Sequence, residues 1–134
     1  MDKLAYIEEE RHMKIAIPSE GPEGLSAMRS GHFGHAQYFT VVEYDDDMNI
    51  VDVASVKNVD HDEFGCGGVI EFAMTLGIDG ILTAGMGMPP LMRFTEAGIT
   101  VFAERTLPNV GDAAKAFALG EVARMSPQDA CAHH

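Results

Sequence analysis

The sequence predicts a single domain of the mixed α/β class with a five-stranded sheet. Short runs rich in Val, Ile, Tyr, Phe and Thr alternate with helical segments in the second half of the chain. Two further strand-like runs, joined by a short acidic connector, precede them and are typical of a β-hairpin. With 46% hydrophobic residues, the 134-residue chain is long enough for one cored domain and too short for two.

Five segments are predicted to be strands: Lys14–Ile17, Gln37–Tyr44, Ile50–Val56, Gly80–Ala84 and Ile99–Ala103. We expect the first to end before Pro18, because proline cannot donate to a strand ladder. The second and third are joined by Asp45–Asn49 and predict the hairpin. The last two are short apolar runs, as expected for buried parallel strands.

Three helices are predicted, at about Gly67–Leu76, Pro89–Gly98 and Asn109–Gly120. Each segment is closed or followed by a glycine, which can adopt the left-handed conformation at a helix end. Proline suits a first helical turn, and Asn109 is a preferred N-cap residue. Helices that alternate with strands in this order require right-handed crossovers and a parallel sheet, to which the hairpin adds an antiparallel edge.

The net charge of the chain disfavours two classes of partner. The 21 acidic and 9 basic residues give a formal charge of −12, which disfavours nucleic acid and anionic membranes as partners.

With no apolar run long enough for a membrane span and no signal segment, we expect a soluble, cytoplasmic protein. Residues 1–12 are interpreted as a tail or start-site extension, 13–124 as the domain and 125–134 as a C-terminal tail.

Two histidines lie three residues apart in the segment Ser30-Gly31-His32-Phe33-Gly34-His35. Imidazole is the commonest metal ligand, and flanking glycines allow the backbone to direct two rings at one point. The same pattern also fits a loop in which Phe33 packs and the histidines only form hydrogen bonds. The residues alone leave both interpretations open.

The segment His61–Gly68 contains Cys66 among three glycines, just before the first predicted helix. A cysteine at a helix N-terminus has a lowered pKa, and thiolate is the soft ligand of iron–sulfur, copper and molybdenum sulfide chemistry. The glycine N–H groups there would also suit an anion. Alternatively, Cys66 is a small residue at an ordinary helix start. The remote Cys131 is followed by His133 and His134, which would be soft-metal ligands, tag remnants or a disordered end.

The turn Ala84–Pro90 imitates the first half of a dinucleotide-binding fingerprint, with Glu104 in place of the ribose-binding acid. Pro90 occupies the position of the third glycine, and too few residues follow Glu104 for a full nucleotide-binding sheet. The turn also places Met86 and Met88 where thioethers could bind soft metals, although methionine more often fills a core. The sequence contains no nucleophile with its base, no H-E-x-x-H and no P-loop, so we expect a binding protein rather than an enzyme.

Several of these segments together resemble the dinitrogenase iron-molybdenum cofactor biosynthesis family, which includes NifX, the carrier region of NafY, the C-terminal part of NifB and the orange proteins. The resemblance begins with Lys14-Ile-Ala-Ile-Pro-Ser and the Ser30-x-His32-Phe33-Gly34-x-Ala36-x-x-Phe39 pattern. It continues through Gly65–Gly67, Leu76–Asp79, Ala84–Gly87, Ala97–Val101 and Ala116–Gly120.

The resemblance implies a three-layer α/β/α domain of ribonuclease-H-like topology, without catalytic residues, that carries an iron–sulfur, iron–molybdenum or molybdenum–copper sulfide cluster. The metal ligands it implies are His32, His61 and Cys66, with His35 as a further candidate. Expected backbone and hydroxyl contacts to the cargo come from the same loops, at Ser30, Gly34, Gly65, Gly67, Gly85 and Gly87. Cluster donor and acceptor proteins are the expected partners. Two other functions stay open at this point: a regulatory domain that binds an anion or nucleotide at the glycine turns, and an acidic protein-interaction module.

Overall fold

The structure is a computed structural model that describes residues 12–127, apart from the side chains of residues 61–66. Strands and helices alternate in the order that the sequence predicts. The elements are β1 (Met13–Ser19), a 3-10 turn (Gly24–Ser26), β2 (Tyr38–Tyr44), β3 (Ile50–Lys57), α1 (His61–Met74), β4 (Gly80–Thr83), α2 (Met88–Glu96), β5 (Thr100–Ala103), α3 (Val110–Ala118) and β6 (Ala123–Arg124).

The six strands form one mixed sheet in the order β3-β2-β1-β4-β5-β6. β1, β4 and β5 are parallel, and the β2–β3 hairpin pairs antiparallel with β1, which confirms the mixed α/β class and the predicted hairpin. The prediction of five strands was wrong, because β6 adds an antiparallel edge next to β5. At two residues, β6 is too short to produce a recognisable sequence pattern. The ribonuclease-H-like name for this topology stays a prediction.

β1 runs through Pro18, where the sequence predicted its end. Pro18 pairs with Phe39 of β2, and its carbonyl accepts a hydrogen bond from the Ser30 N–H at 3.0 Å, on the side away from β2. In a strand, the nitrogen and carbonyl of one residue point to the same side. The missing N–H of Pro18 therefore falls outside the β1–β2 ladder, and the strand continues to Ser19.

Helices cover both faces of the sheet, which produces three layers. On one face, α1 and α2 pack on the sheet in a cluster of buried residues that includes Ala16, Phe39, Val69, Ile81 and Phe94. On the other face, α3 packs on a second cluster that includes Ile15, Val42, Leu82, Val110 and Ala113. Successive residues such as Ile15 and Ala16 belong to opposite clusters because strand side chains alternate between the faces.

The helices end close to the predicted glycines, whereas the start of α1 differs from the prediction. Gly77, Gly98 and Gly120 have φ values of +69°, +84° and +75°, the left-handed conformation that glycine adopts at low cost. The Asn109 side chain accepts a hydrogen bond from the Asp112 N–H at 3.0 Å and caps α3 as predicted. In residues 12–127, no helix has the length and apolar character that crossing a membrane requires.

Candidate metal centre

Most of the predicted binding segments meet at one edge of the sheet. The parallel strands β1 and β4 end there at Ser19 and Thr83, and β2 begins there because Tyr38 pairs with Ser19. Lys57, the last residue of β3, pairs with Tyr38 and lies at the same edge. The segments 30–37, 58–60 and 84–87 therefore adjoin this edge, where open α/β sheets bind their ligands.

The segment 30–35 carries both loop histidines, and we call it the histidine loop. Its first residue, Ser30, is buried and donates its N–H to the Pro18 carbonyl at 3.0 Å. The Ser30 hydroxyl donates to the His32 carbonyl at 3.0 Å and accepts from the His32 N–H at 3.3 Å. Ser30 therefore shapes the backbone at His32 rather than presenting a free hydroxyl.

Phe33 anchors the middle of the histidine loop. Its side chain is only 3% exposed and lies against two aromatic rings, Phe39 at 5.8 Å and Phe94 of α2 at 5.4 Å between ring centroids. The contact with Phe94 is T-shaped, an arrangement in which one ring's positive edge meets the other ring's negative face. Burial of Phe33 therefore fixes the residues on either side of it.

Asn58 holds the chain just after the histidine loop. Its side-chain amide is buried and donates to the Ala36 carbonyl at 2.8 Å, while its own N–H donates to the Gln37 carbonyl at 2.9 Å. The Asn58 Oδ1 accepts from the Val59 N–H at 2.8 Å. The loop is thus held before its first histidine, between the two histidines and after the second.

His32 and His35 are both exposed, and their ring centroids lie 6.2 Å apart with planes at 89°. Two imidazoles that share one tetrahedral metal at about 2.0 Å from each nitrogen would have centroids about 5 Å apart. The observed separation exceeds that value by about 1 Å. Phe33 packs in the core, as the second interpretation of this loop predicted, whereas the role of the two exposed histidines stays a prediction.

An open cavity of about 390 Å³ lies beside His35. Polar and backbone groups line most of it: Gly34, His35, Ala36, Gln37, Lys57, Asn58, Val59 and Asp60. The volume falls within the range of about 300–1,000 Å³ that is usual for small-ligand sites. The cavity therefore provides space for a bound group next to one of the candidate ligands.

The backbone of α1 begins at His61, six residues before the predicted start, so that prediction was wrong. Cys66 is the sixth residue of the helix, whereas the sequence predicted a position at the helix N-terminus. Gly65 and Gly67 lie within the helix and form no strand-to-helix turn. Positions 61 and 66 are separated by about 140° around the axis, so they do not share one helix face. The side chains of His61 and Cys66, like all of Cys131, His133 and His134, lie outside the described part of the chain.

The turn after β4 is partly closed to a ligand. Gly85 and Thr83 are linked through the Thr83 hydroxyl, which donates to the Gly85 carbonyl at 3.0 Å. Met86 is buried in the core, as the filler interpretation predicts, whereas Met88 and Met92 are exposed. Among the side chains described between residues 12 and 127, no group of three or more His, Cys, Asp or Glu residues is placed to hold a metal ion.

The dinucleotide-fingerprint interpretation required the Glu104 carboxylate to be available to a ribose, but the carboxylate is bonded within the protein. Its Oε1 lies 2.6 Å from Arg29 Nη1, and the carboxylate also accepts from the Thr106 hydroxyl at 2.7 Å and the Leu107 N–H at 3.0 Å. Burial raises the pKa of Glu104, and the hydrogen bonds from Thr106, Leu107 and Arg29 together lower it by more, so the net pKa lies below its ordinary value. No local pattern in the sequence indicates this pair, because its partners lie 75 residues apart.

The opposite edge of the sheet carries an acidic patch that is separate from the histidine loop. His12 pairs there with Glu43, and a cavity of about 300 Å³ is lined in part by His12, Asp45, Asp46 and Asp79. Hydrogen bonds from the Asn49 and Asp47 N–H groups hold the pKa of Asp45 below its ordinary value. His12 therefore lies at the opposite edge of the sheet from the candidate centre, where it pairs with Glu43.

Comparison with solved structures identifies several relatives of the same fold. The structure of PH0822 is 29% identical with a TM-score of 0.71, and the match covers 84% of this chain and 96% of that one. The apo form of the orange protein from Desulfovibrio gigas is 28% identical with a TM-score of 0.67, over 84% of this chain and 92% of that one. The protein mj0327 from Methanocaldococcus jannaschii, 17% identical with a TM-score of 0.67 over 87% and 97% of the two chains, shows the fold alone.

A comparison with the curated proteins finds no match. The family model described as "Dinitrogenase iron-molybdenum cofactor" matches residues 13–120, which is most of the chain and includes every strand from β1 to β5. The histidine loop and α1 both lie within the matched region. The chain belongs to the dinitrogenase iron-molybdenum cofactor family.

Proposed function

We propose that the protein is a non-enzymatic carrier or scaffold that binds an iron–sulfur or molybdenum-containing cluster and passes it between a donor and an acceptor protein. The observation that carries the proposal is the exposed pair His32 and His35 on a loop that is fixed by Ser30, Phe33 and Asn58. Membership of a family associated with this cofactor supports the nature of the cargo. Cys66, on the helix that begins at the same edge, is the proposed additional ligand because thiolate is the softer donor, with His61 on another face of that helix as the alternative.

Few fixed ligands on an exposed loop suit a cargo that must be released. A structural zinc site encloses its ion with four protein ligands, and its binding contributes directly to folding. Here the loop is held by its own hydrogen bonds and by the burial of Phe33, so the fold does not depend on the cargo. A preorganised loop binds without an ordering cost and leaves the open side of the cargo to an acceptor.

Two basic side chains lie near this edge, each accompanied by an acidic one: Asp60 lines the same cavity as Lys57, and Glu71 lies 3.9 Å from Arg93. Sulfide clusters are anionic, and the net charge of −12 would repel them at long range. Lys57 lines the cavity beside His35, and the Arg93 guanidinium lies 3.9 Å from the position that a Cβ would occupy on Gly67. We propose that these two cations attract the cargo to the edge, with backbone contacts from Gly34 and Gly87, because Gly65 and Gly67 lie inside α1 and Gly85 bonds to Thr83.

Anaerobic reconstitution tests the proposal. Untagged protein is incubated either with iron and sulfide or with tetrathiomolybdate and copper, desalted, and assayed by visible absorption and metal-to-protein ratio. We expect a chromophore in the wild type that is strongly reduced by His32→Ala and by Cys66→Ser. His12→Ala is the matched control, because it removes an exposed histidine from the opposite edge. A lack of chromophore in both incubations, or equal loading of all variants, would contradict the proposal.

A further inference from the structure

Arg29 is a buried arginine that joins two loops at the edge of the candidate centre. Its side chain is 5% exposed and that of Glu104 is 13% exposed. Arg29 Nη1 donates to Glu104 Oε1 at 2.6 Å and to the Leu107 carbonyl at 2.8 Å, while Nη2 donates to the Glu104 carbonyl at 2.8 Å. One guanidinium therefore holds the backbone of the β5–α3 loop at two points as well as its carboxylate.

The cost of burying this pair indicates a role beyond stability. The desolvation of two charges can exceed their mutual attraction, and a buried ion pair is better attested as a device that fixes a geometry. Arg29 Nε has no hydrogen-bond partner in residues 12–127, and a buried donor without a partner carries a further penalty. An apolar pair would avoid both costs, but it would not hold two carbonyls and a carboxylate in one arrangement.

The backbone of Arg29 leads directly into the histidine loop. The Arg29 N–H donates to the Pro108 carbonyl at 2.8 Å, and the next N–H, that of Ser30, donates to the Pro18 carbonyl at 3.0 Å. The Ser30 hydroxyl then holds both backbone groups of His32. Glu104 is therefore linked to the first candidate ligand by hydrogen bonds to Arg29, the peptide bond from Arg29 to Ser30, and the hydrogen bonds from Ser30 to His32.

We propose that Arg29 is a positioning residue of the metal centre, which, held by Glu104, fixes the point at which the histidine loop leaves the sheet. By this means it sets the separation and orientation of His32 and His35. The inference rests on the proposed function for its biological meaning, but the coupling of Arg29 to the loop is a property of the protein without cargo. The two are therefore separable by experiment.

Amide hydrogen exchange of the apo protein provides the first test, with Arg29→Lys and Thr106→Val as variants. Lysine keeps the charge but cannot reach all three acceptors, and Thr106→Val removes one exposed bond to Glu104 in a variant that should fold. We expect exchange at the Ser30 and His32 amides to rise about tenfold in Arg29→Lys and less in Thr106→Val, with no change at the hairpin turn 45–49. Glu43→Gln, which alters the ion pair with His12 at the other edge, is the control.

Cu²⁺ binding followed by electron paramagnetic resonance provides a readout that a merely structural role would not change. Imidazole is a good Cu²⁺ ligand, so His32 and His35 give a nitrogen-ligand spectrum in the wild type that His32→Ala should alter. We expect Arg29→Lys to broaden that spectrum and to weaken Cu²⁺ binding about tenfold, the effect of losing one charge-assisted hydrogen bond. A lowered melting temperature with unchanged loop exchange and an unchanged spectrum would overturn the inference. Faster loop exchange in a protein that never loads a cluster would support the inference and reject the proposed function.

Discussion

Removal of the Phe33 ring should destabilise the protein and loosen both candidate histidines at once. Full burial of a phenylalanine contributes about 1.5–3 kcal/mol, and Phe33 is 3% exposed. Each aromatic pair adds about 0.5–1.5 kcal/mol, and Phe33 forms two, with Phe39 and Phe94. The sum agrees with the loss of about 3–5 kcal/mol usual for Phe→Ala in a core. For a chain of this length, that loss lowers the melting temperature by roughly 10–20 °C.

Urea unfolding and hydrogen exchange of the apo protein measure these two effects of Phe33→Ala. Leu119→Ala is the control, because Leu119 is 63% exposed and its loss should change stability by no more than about 0.5 kcal/mol. Phe33→Leu keeps much of the apolar volume and should cost about 1–1.5 kcal/mol. If Phe33→Ala costs less than about 1 kcal/mol, or if exchange at His32 and His35 does not rise beyond the global change, Phe33 does not anchor the loop as argued.

Three further perturbations test individual features of the fold. Gly80→Ala should lower the free energy of unfolding in urea by about 1–3 kcal/mol, because the new Cβ would lie 2.9 Å from both Phe102 Cε2 and the Thr100 carbonyl oxygen. Gly31→Ala is the control and should be nearly neutral, because no atom lies within 4 Å of its Cβ position. Equal effects of the two substitutions would contradict this reasoning. Asn109→Ala should lower the free energy of unfolding by about 1 kcal/mol, because it removes the N-cap of α3. Asn109→Asp should retain most of this stabilisation, because aspartate is also a good N-cap residue. An unchanged urea midpoint for Asn109→Ala would refute the capping role. Because the folded pKa of Glu104 is lowered, its contribution is present above the ordinary glutamate pKa of about 4.3 and is lost as pH falls through the folded pKa. Urea midpoints between pH 6 and 3 should therefore fall less steeply in Glu104→Gln than in the wild type, and parallel profiles would exclude the effect.

The features that depend on local chemistry were predictable from the sequence. The runs that form β2 and β3 are rich in β-branched and aromatic residues, and the acidic connector between them closes through hydrogen bonds to Asp45 from the N–H groups of Asp47 and Asn49. Gly77, Gly98 and Gly120 end helices because only glycine adopts positive φ without a steric cost. These signals lie within a few residues of the structure that they determine.

The start of α1 was not predictable in this way, because tertiary packing overrides propensity there. Glycine in a helix interior costs roughly 1 kcal/mol relative to alanine, and Gly65, Gly67 and Gly68 all lie inside α1. Local preference therefore favoured a helix that begins only at Gly67. Burial of Val69 and Ala73 against the sheet stabilises the helix as a whole. The Arg29–Glu104 pair escaped prediction for a related reason, since a contact across 75 residues leaves no local pattern.

The ligands proposed above would suit a carrier better than a permanent metal site, on kinetic as well as chemical grounds. His32 and His35 are exposed on one side of a loop whose other side is fixed by Phe33, so a bound cargo keeps a face open to solvent. Under the proposed function, an acceptor with more ligands would replace these imidazoles one at a time, without unfolding any part of the protein. A closed site would instead require the protein to open before release. Affinity for the cargo would thus be limited by ligand number, and the rigid loop would compensate by lowering the cost of binding.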